Sequence, residues 1–206
     1  MNTKPLLLLA PFLFLLFLLS SCGDCSRKID CPGFADDTLS ALFPYINNQQ
    51  LAFLSDTAGR DIFHLENTRT SEPYQAASGA YGSAPRCAEE KVFASREKDT
   101  SNRSYFEVIL QSGDYRAVNL KIKTSSISFT NFSDTAFTTV FINGQYAPQV
   151  FRQSVAVGNR TFAGVIIAGR DTSTNKRAGI YRIFYTRKEG VVGYTEFPSG
   201  INWVKQ

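Results

Sequence analysis

Apolar and polar residues alternate with a period of two along much of this chain. Val118, Leu120 and Ile122 are separated by Asn119, Lys121 and Lys123, a pattern that turns one side of an extended segment toward a core and the other toward water. Phe106, Val108 and Leu110 repeat it one segment earlier, with Tyr105 and Ile109 making the second face less polar, and Ile127 and Phe129 continue it. The pattern predicts strands over Leu51–Ser55, Asp61–Asn67, Glu90–Arg96, Tyr105–Gln111 and Tyr115–Thr124, then over Phe137–Ile142 and Gln145–Val157. Asn143-Gly144 between the last two is the clearest hairpin signal, because a type I′ turn needs two positive φ angles. Pro148 has no amide donor, so the return strand is expected at an edge or with a bulge there. Thr161–Ala168 is apolar on both faces and is expected to be central. A three-stranded meander over Gly179–Tyr185, Val191–Tyr194 and Ile201–Val204 ends the chain.

Two segments break the alternation. Asp36-Asp37-Thr38 can cap a short helix whose Leu39, Leu42 and Phe43 share one face, and Pro44 stops it by excluding helical geometry from the residue before it. This segment is expected to close one end of a sheet. Ser71–Arg86 is rich in Ser, Ala, Gly, Pro and Tyr without an apolar period and reads as a long loop, a candidate contact surface. With some ten strands and short turns, the expectation is a single all-β, antiparallel, meander-rich domain, with barrel, half-barrel and sandwich all open.

The first residues follow another rule. Lys4 precedes an almost unbroken apolar run ending in Leu19-Ser20-Ser21-Cys22, and Gly23, Asp24, Ser26, Arg27 and Lys28 follow at once. The run has the length and the small-residue end of a secretory signal rather than of a spanning helix of about 20 apolar residues. Leu-Ser-Ser-Cys22 resembles the lipobox of bacterial lipoproteins, and the organisation this resemblance implies is a lipoprotein signal peptide over 1–21, a tether over 22–37 starting at a lipidated Cys22, and a β-rich domain over 38–206.

Composition adds a compartment and removes some partners. Of four cysteines, Cys22 is assigned to lipid, leaving Cys25, Cys31 and Cys87 outside the cytosol, where disulfides persist. One bridge and one spare thiol is the simplest accounting. Cys31 with Cys87 would staple the N-terminal segment to the body, and Cys25 with Cys31 would close a small loop. No Cys-x-x-Cys pair is present among these three, and His64 is the single histidine, so no metal and no cofactor is expected. The 22 basic and 18 acidic side chains are interspersed without a basic block, which argues against nucleic acid as a partner. Aromatic content of 13% beside one methionine suits a pleated core.

Leu-Ser-Ser-Cys22 with Cys31-Pro32, Phe43-Pro44-Tyr45 before the first hairpin, Cys87 after a loop, and the C-terminal Gly179-Ile180-Tyr181-x-x-Phe184-Tyr185, Lys188-Glu189-Gly190-Val191-Val192-Gly193-Tyr194 and Trp203-Val204 resemble uncharacterised short lipoproteins of Bacteroidota. The resemblance implies acylation at Cys22, a membrane held through that lipid and a place in the cell envelope. Surface-exported members of that group often carry an acidic run after the lipidated cysteine. Here Asp24 stands alone before Arg27-Lys28, which favours the outer membrane facing the periplasm over the cell surface.

The chain lacks a Gly-x-Ser-x-Gly elbow, a phosphate-binding glycine loop, a His-Glu-x-x-His pair and a dinucleotide fingerprint. His64 with Glu66, two residues on, reads as exposed strand surface rather than as a base and its orienting carboxylate. Asp36-Asp37 and Glu89-Glu90 are adjacent carboxylates that point apart when extended, unlike a glycosidase dyad. The expected function is therefore that of a membrane-anchored envelope lipoprotein, not an enzyme, with a structural or protein-interaction role exercised through a sheet edge or the Ser71–Arg86 loop on an envelope protein partner. The alternative is a periplasmic binding module whose curved sheet holds an apolar ligand such as lipid.

Overall fold

The structure, a computed structural model, describes residues 34–74, 86–95, 105–112, 116–132, 137–174 and 176–206. The expected signal peptide, Cys22, Cys25, Cys31 and most of the expected tether lie outside the described residues.

The chain enters the fold through an apolar plug. Asp36 caps a short helix α1 (Asp37–Leu42) by accepting the Leu39 N–H at 2.9 Å, and its other oxygen lies 2.8 Å from Arg116 Nε. The helix ends before Pro44, as the proline requires. Phe34, Leu39, Leu42, Phe43 and Tyr45 are all buried in the main core. Two hydroxyls fasten the segment: Tyr185 donates to the Leu42 carbonyl, and Tyr45 accepts the Val191 N–H at 3.0 Å.

Among the described residues thirteen antiparallel strands follow: β1 (Gln50–Ser55), β2 (Gly59–Tyr74), β3 (Arg86–Ser95), β4 (Phe106–Ser112), β5 (Ala117–Ile122), β6 (Ser125–Phe132), β7 (Phe137–Ile142), β8 (Gln145–Tyr146), β9 (Gln149–Val157), β10 (Arg160–Gly169), β11 (Gly179–Thr186), β12 (Gly190–Phe197) and β13 (Asn202–Lys205). They form one sheet in the order β8-β7-β6-β5-β4-β3-β2-β1-β13-β12-β11-β10-β9. The fold is thus all-β and meander-rich, as the alternation predicts.

The two ends of that order, β8 and β9, are joined by Ala147-Pro148 alone. Two residues reach about 10 Å at most, so the sheet rolls on itself until its ends meet. Ala147 N–H bonds to Val140 in β7 at 2.8 Å, and the Pro148 carbonyl accepts from Gly169 in β10 at 3.3 Å. The rolled walls also touch through side chains, since the Ser125 hydroxyl accepts the Ile180 N–H at 2.8 Å.

Several expectations are corrected. The hairpin at Asn143 (φ 52°) and Gly144 (φ 79°) is present, but Gln145–Val157 is not one return strand. It pairs with β7 over two residues, breaks at Ala147-Pro148, and continues as β9 on β10; the missing Pro148 donor accounts for the break. Thr161–Ala168 is not central, because β10 is the last strand but one in the order. Its apolar faces serve two different cores, described below. Tyr115–Thr124 ends early, at Ile122, where Lys123 (φ 55°) and Thr124 turn into β6. Ser71–Arg86 is not wholly a loop, since the β2–β3 ladder runs on to Tyr74↔Arg86. Beyond His64, β2 has left β1, so Pro73 sits in a stretch paired on one side only, where its missing donor is tolerated. Cys87 lies in β3 opposite Pro73.

The main core lies inside the rolled sheet. Phe43 sits with its ring centroid 5.1 Å from Phe129 and Tyr185 and 6.2 Å from Phe137, so the plug occupies part of the interior. A second cluster of Val157, Phe162, Val165, Phe184, Val192 and Val204 lies on the other face of the C-terminal strands. Gly164 explains it. β10 pairs with β11 only from Val165 onward, and Gly164 takes φ +63° at that point. There the β9–β10 hairpin bends and lays its tip over β12 and β13. The approach is tight: a Cβ on Gly158 would lie 2.6 Å from Val204, and one on Gly193 would lie 2.9 Å from Val157.

Candidate functional site

The bend of the hairpin leaves β9 exposed. This strand pairs with β10 and no other strand among the described residues. Its residues from Val150 to Ser154 are all exposed, with Phe151 at 62% and Val150 at 46%. Bonded positions recur at every second residue of an antiparallel ladder. Because Pro148 and Gly169 form a bonded pair, Val150 and Arg152 also bond to β10, and the N–H and C=O of Phe151 point away from it. The Phe151 side chain stands opposite Ile166 on the face turned to the main core, whereas Val150 and Arg152 stand opposite Ile167 and Val165 on the outer face. Next to β9 in sequence, Tyr146 is 55% exposed and meets Phe141 edge-on with centroids 6.2 Å apart.

A strand of this length with one edge unpaired among the described residues and large apolar side chains on it is a template for another strand, and folded proteins usually blunt such edges with charge, proline or a cover. Here Pro148 stands just before the strand, and Arg152 is the one charge on it. The edge can accept main-chain hydrogen bonds from an extended chain and offers Val150 and Phe151 for apolar contact.

A second cluster gathers charge from distant parts of the chain. Lys123 Nζ lies 2.8 Å from Asp61 and 2.9 Å from Glu196, and 3.9 Å from the centroid of the Trp203 ring. The Tyr194 hydroxyl donates to the same Asp61 oxygen at 3.2 Å, and its ring stacks on Trp203. Sequence reasoning missed this grouping because its members come from β2, the β5–β6 turn, β12 and β13, with no local spacing to betray them. It does unite two carboxylates, but the ammonium between them is committed to both and to the indole face. We read it as a bolt tying the β5–β6 turn to β2 and β12. The cleft beside it, lined by Lys123, Ser125, Gly179, Glu196 and Phe197 among others, holds about 250 Å³, below the roughly 300–1,000 Å³ of small-molecule sites.

Of the remaining candidate residues, Asp36, Asp37 and Glu89 line one open cleft of about 360 Å³ together with Arg116. His64 and Glu66 are both exposed on β2. Asp36 pairs with Arg116, Glu89 accepts from Ala35 N–H, and Glu90 accepts from Gln111. Among the described residues no three His, Cys, Asp or Glu side chains converge to hold a metal ion, and no helix is long and apolar enough to cross a membrane.

Burial sets the titration behaviour. It pushes the Tyr45 and Tyr185 phenols well above the ordinary value near 10. It does the same to Tyr194, with the Asp61 and Glu196 charges adding to it. These phenols are neutral in the folded chain, and a raised folded pKa contributes stability that is complete below the unfolded value and lost above it. Each such tyrosine should therefore withdraw about 1.4 kcal/mol per pH unit as pH rises past 10. Thermal melts between pH 8 and 12 check this: the wild type should lose stability above pH 10, and Tyr194→Phe should flatten the slope.

No family model, no curated protein and no solved structure matches this chain.

Proposed function

We propose that this chain is a membrane-anchored envelope lipoprotein that holds a protein partner by strand addition along β9. The observation that carries the docking half of this reading is the edge at Val150–Ser154, unpaired among the described residues, with the Phe151 peptide group turned outward and the residue 62% exposed. Leu19-Ser20-Ser21-Cys22 carries the anchoring half. A ligand-holding interior has less support, because Leu39, Leu42 and Phe43 of the chain's own plug occupy the core and an apolar ligand would have to displace them.

Both halves can be tested in the native envelope. Cys22→Ala should abolish fatty-acid labelling and block removal of residues 1–21, whereas the wild-type chain should stay in the membrane fraction through salt washing, since one acyl chain binds only marginally and several hold firmly. Phe151→Pro removes an outward N–H without touching the β10 ladder, a substitution that edge strands accept. After gentle solubilisation the wild type should migrate on a native gel as a complex larger than the chain, and Phe151→Pro as the free chain with an unchanged melting temperature. Labelling of the Cys22→Ala chain would end the anchoring half. Equal migration of the two edge forms would end the docking half.

A further inference from the structure

Electrostatics narrows the partner. Across β9, β10 and β11 the charged residues are Arg152, Arg160 and Arg182, and no carboxylate occurs on any of the three strands. Arg152 and Arg182 are exposed and share the outer face, since Arg152 stands opposite Val165 and Arg182 opposite Gly169 on β10. Arg160 is committed elsewhere, donating to the Lys205 carbonyl at 2.5 Å. A second copy docking edge to edge would bring this basic face against its own image. A segment bearing a carboxylate would meet Arg152 with the opposite sign.

Register then fixes a pattern. A strand added antiparallel to β9 runs past Ser154, Gln153, Arg152, Phe151 and Val150 in that order, and directly opposed side chains share a face. Its residues opposite Ser154 and Gln153 face polar neighbours, the next faces the Arg152 guanidinium, and the last two face Phe151 and Val150. From the edge reading above, on which this rests, we infer that β9 takes an extended peptide segment in which an acidic residue precedes two apolar ones, as an added antiparallel strand. Arg152 is the specificity-determining residue, and Phe151 supplies apolar contact and an outward peptide group.

The test uses two blocked synthetic peptides, Ser-Thr-Thr-Glu-Val-Val-Thr-Ser and its counterpart with Lys for Glu, titrated into the signal-free protein with backbone amide shifts as the readout. The Glu peptide should bind about tenfold more tightly than the Lys peptide, with shifts concentrated on β9 and the Phe151 amide. Arg152→Glu, at an exposed position that leaves the fold alone, should invert the preference. Equal binding of both peptides along β9 would overturn the acidic assignment and leave edge docking standing. Binding of neither peptide overturns the assignment. If Phe151→Pro also leaves the native complex intact, edge docking falls with it. Two other results would overturn the assignment and replace the occupant: dimerisation through β9 in place of peptide binding, or binding to anionic phosphatidylglycerol vesicles that the Glu peptide does not displace.

Discussion

Trp203→Ala should destabilise the domain by about 3–5 kcal/mol, the usual cost of emptying a large buried aromatic site. Trp203 is 3% exposed, stacks on Tyr194 and carries the Lys123 ammonium over its face. Its loss therefore opens a cavity and also removes the floor of the cluster that ties the β5–β6 turn to β12. The indole N–H has no hydrogen-bond acceptor among the described residues, which already costs stability in a buried donor. Trp203→Phe, which discards that donor and keeps an aromatic ring, should cost clearly less. Urea unfolding of the two variants checks both expectations. A Trp203→Ala chain as stable as wild type would show that the cluster holds nothing together.

The second large effect should come from Phe43→Ala, again about 3–5 kcal/mol. Phe43 is 1% exposed and sits among Phe129, Phe137 and Tyr185, inside the rolled sheet although it belongs to the segment before the first strand. If the plug is part of the core, its loss should move the main unfolding transition of the domain to lower denaturant, because the cavity it leaves is lined by the strands themselves. Ile46→Ala, three residues on and at a site 66% exposed, should change stability by no more than about 0.5 kcal/mol. A small effect of Phe43→Ala would mean the segment lies on the sheet without filling it.

Much of the fold was legible because its signals are local. The alternation through Val118, Leu120 and Ile122 reports which side of β5 is buried, and Asn143-Gly144 reports a turn whose two positive φ angles few other pairs accept. Asp36 and Pro44 bracket the short helix from its two ends. What escaped was long-range. No spacing reveals that Pro148 sends the chain from β7 across to β10, because the proline says only that a donor is missing and not where the chain goes next. Phe162, Val165, Ile166 and Ile167 looked like the two faces of a central strand. Ile166 packs on the main core, and the other three serve a second core that forms where the hairpin bends at Gly164 over its neighbours.

The candidate site divides the same way. That Gln145–Val157 would contain an edge was readable from Pro148. That Val150 and Phe151 would stay uncovered was not, since it depends on which strands lie beside β9. Lys123 was read as one polar residue of an alternating strand, and its meeting with Asp61 and Glu196 follows from the rolling of the sheet. Cys22, Cys25 and Cys31 lie outside the described residues, so their roles rest on the residues alone.

Placing a photo-crosslinking amino acid at position 151 in the full chain, with Cys22 intact and in the native envelope, tests the docking edge most directly. A control probe at Ala58, exposed on the β1–β2 turn, samples a surface with no such edge. The account predicts one discrete adduct from position 151, none from position 58, and loss of the first when Arg152→Glu is added. Adducts of equal yield from both positions, or none from position 151, would contradict it.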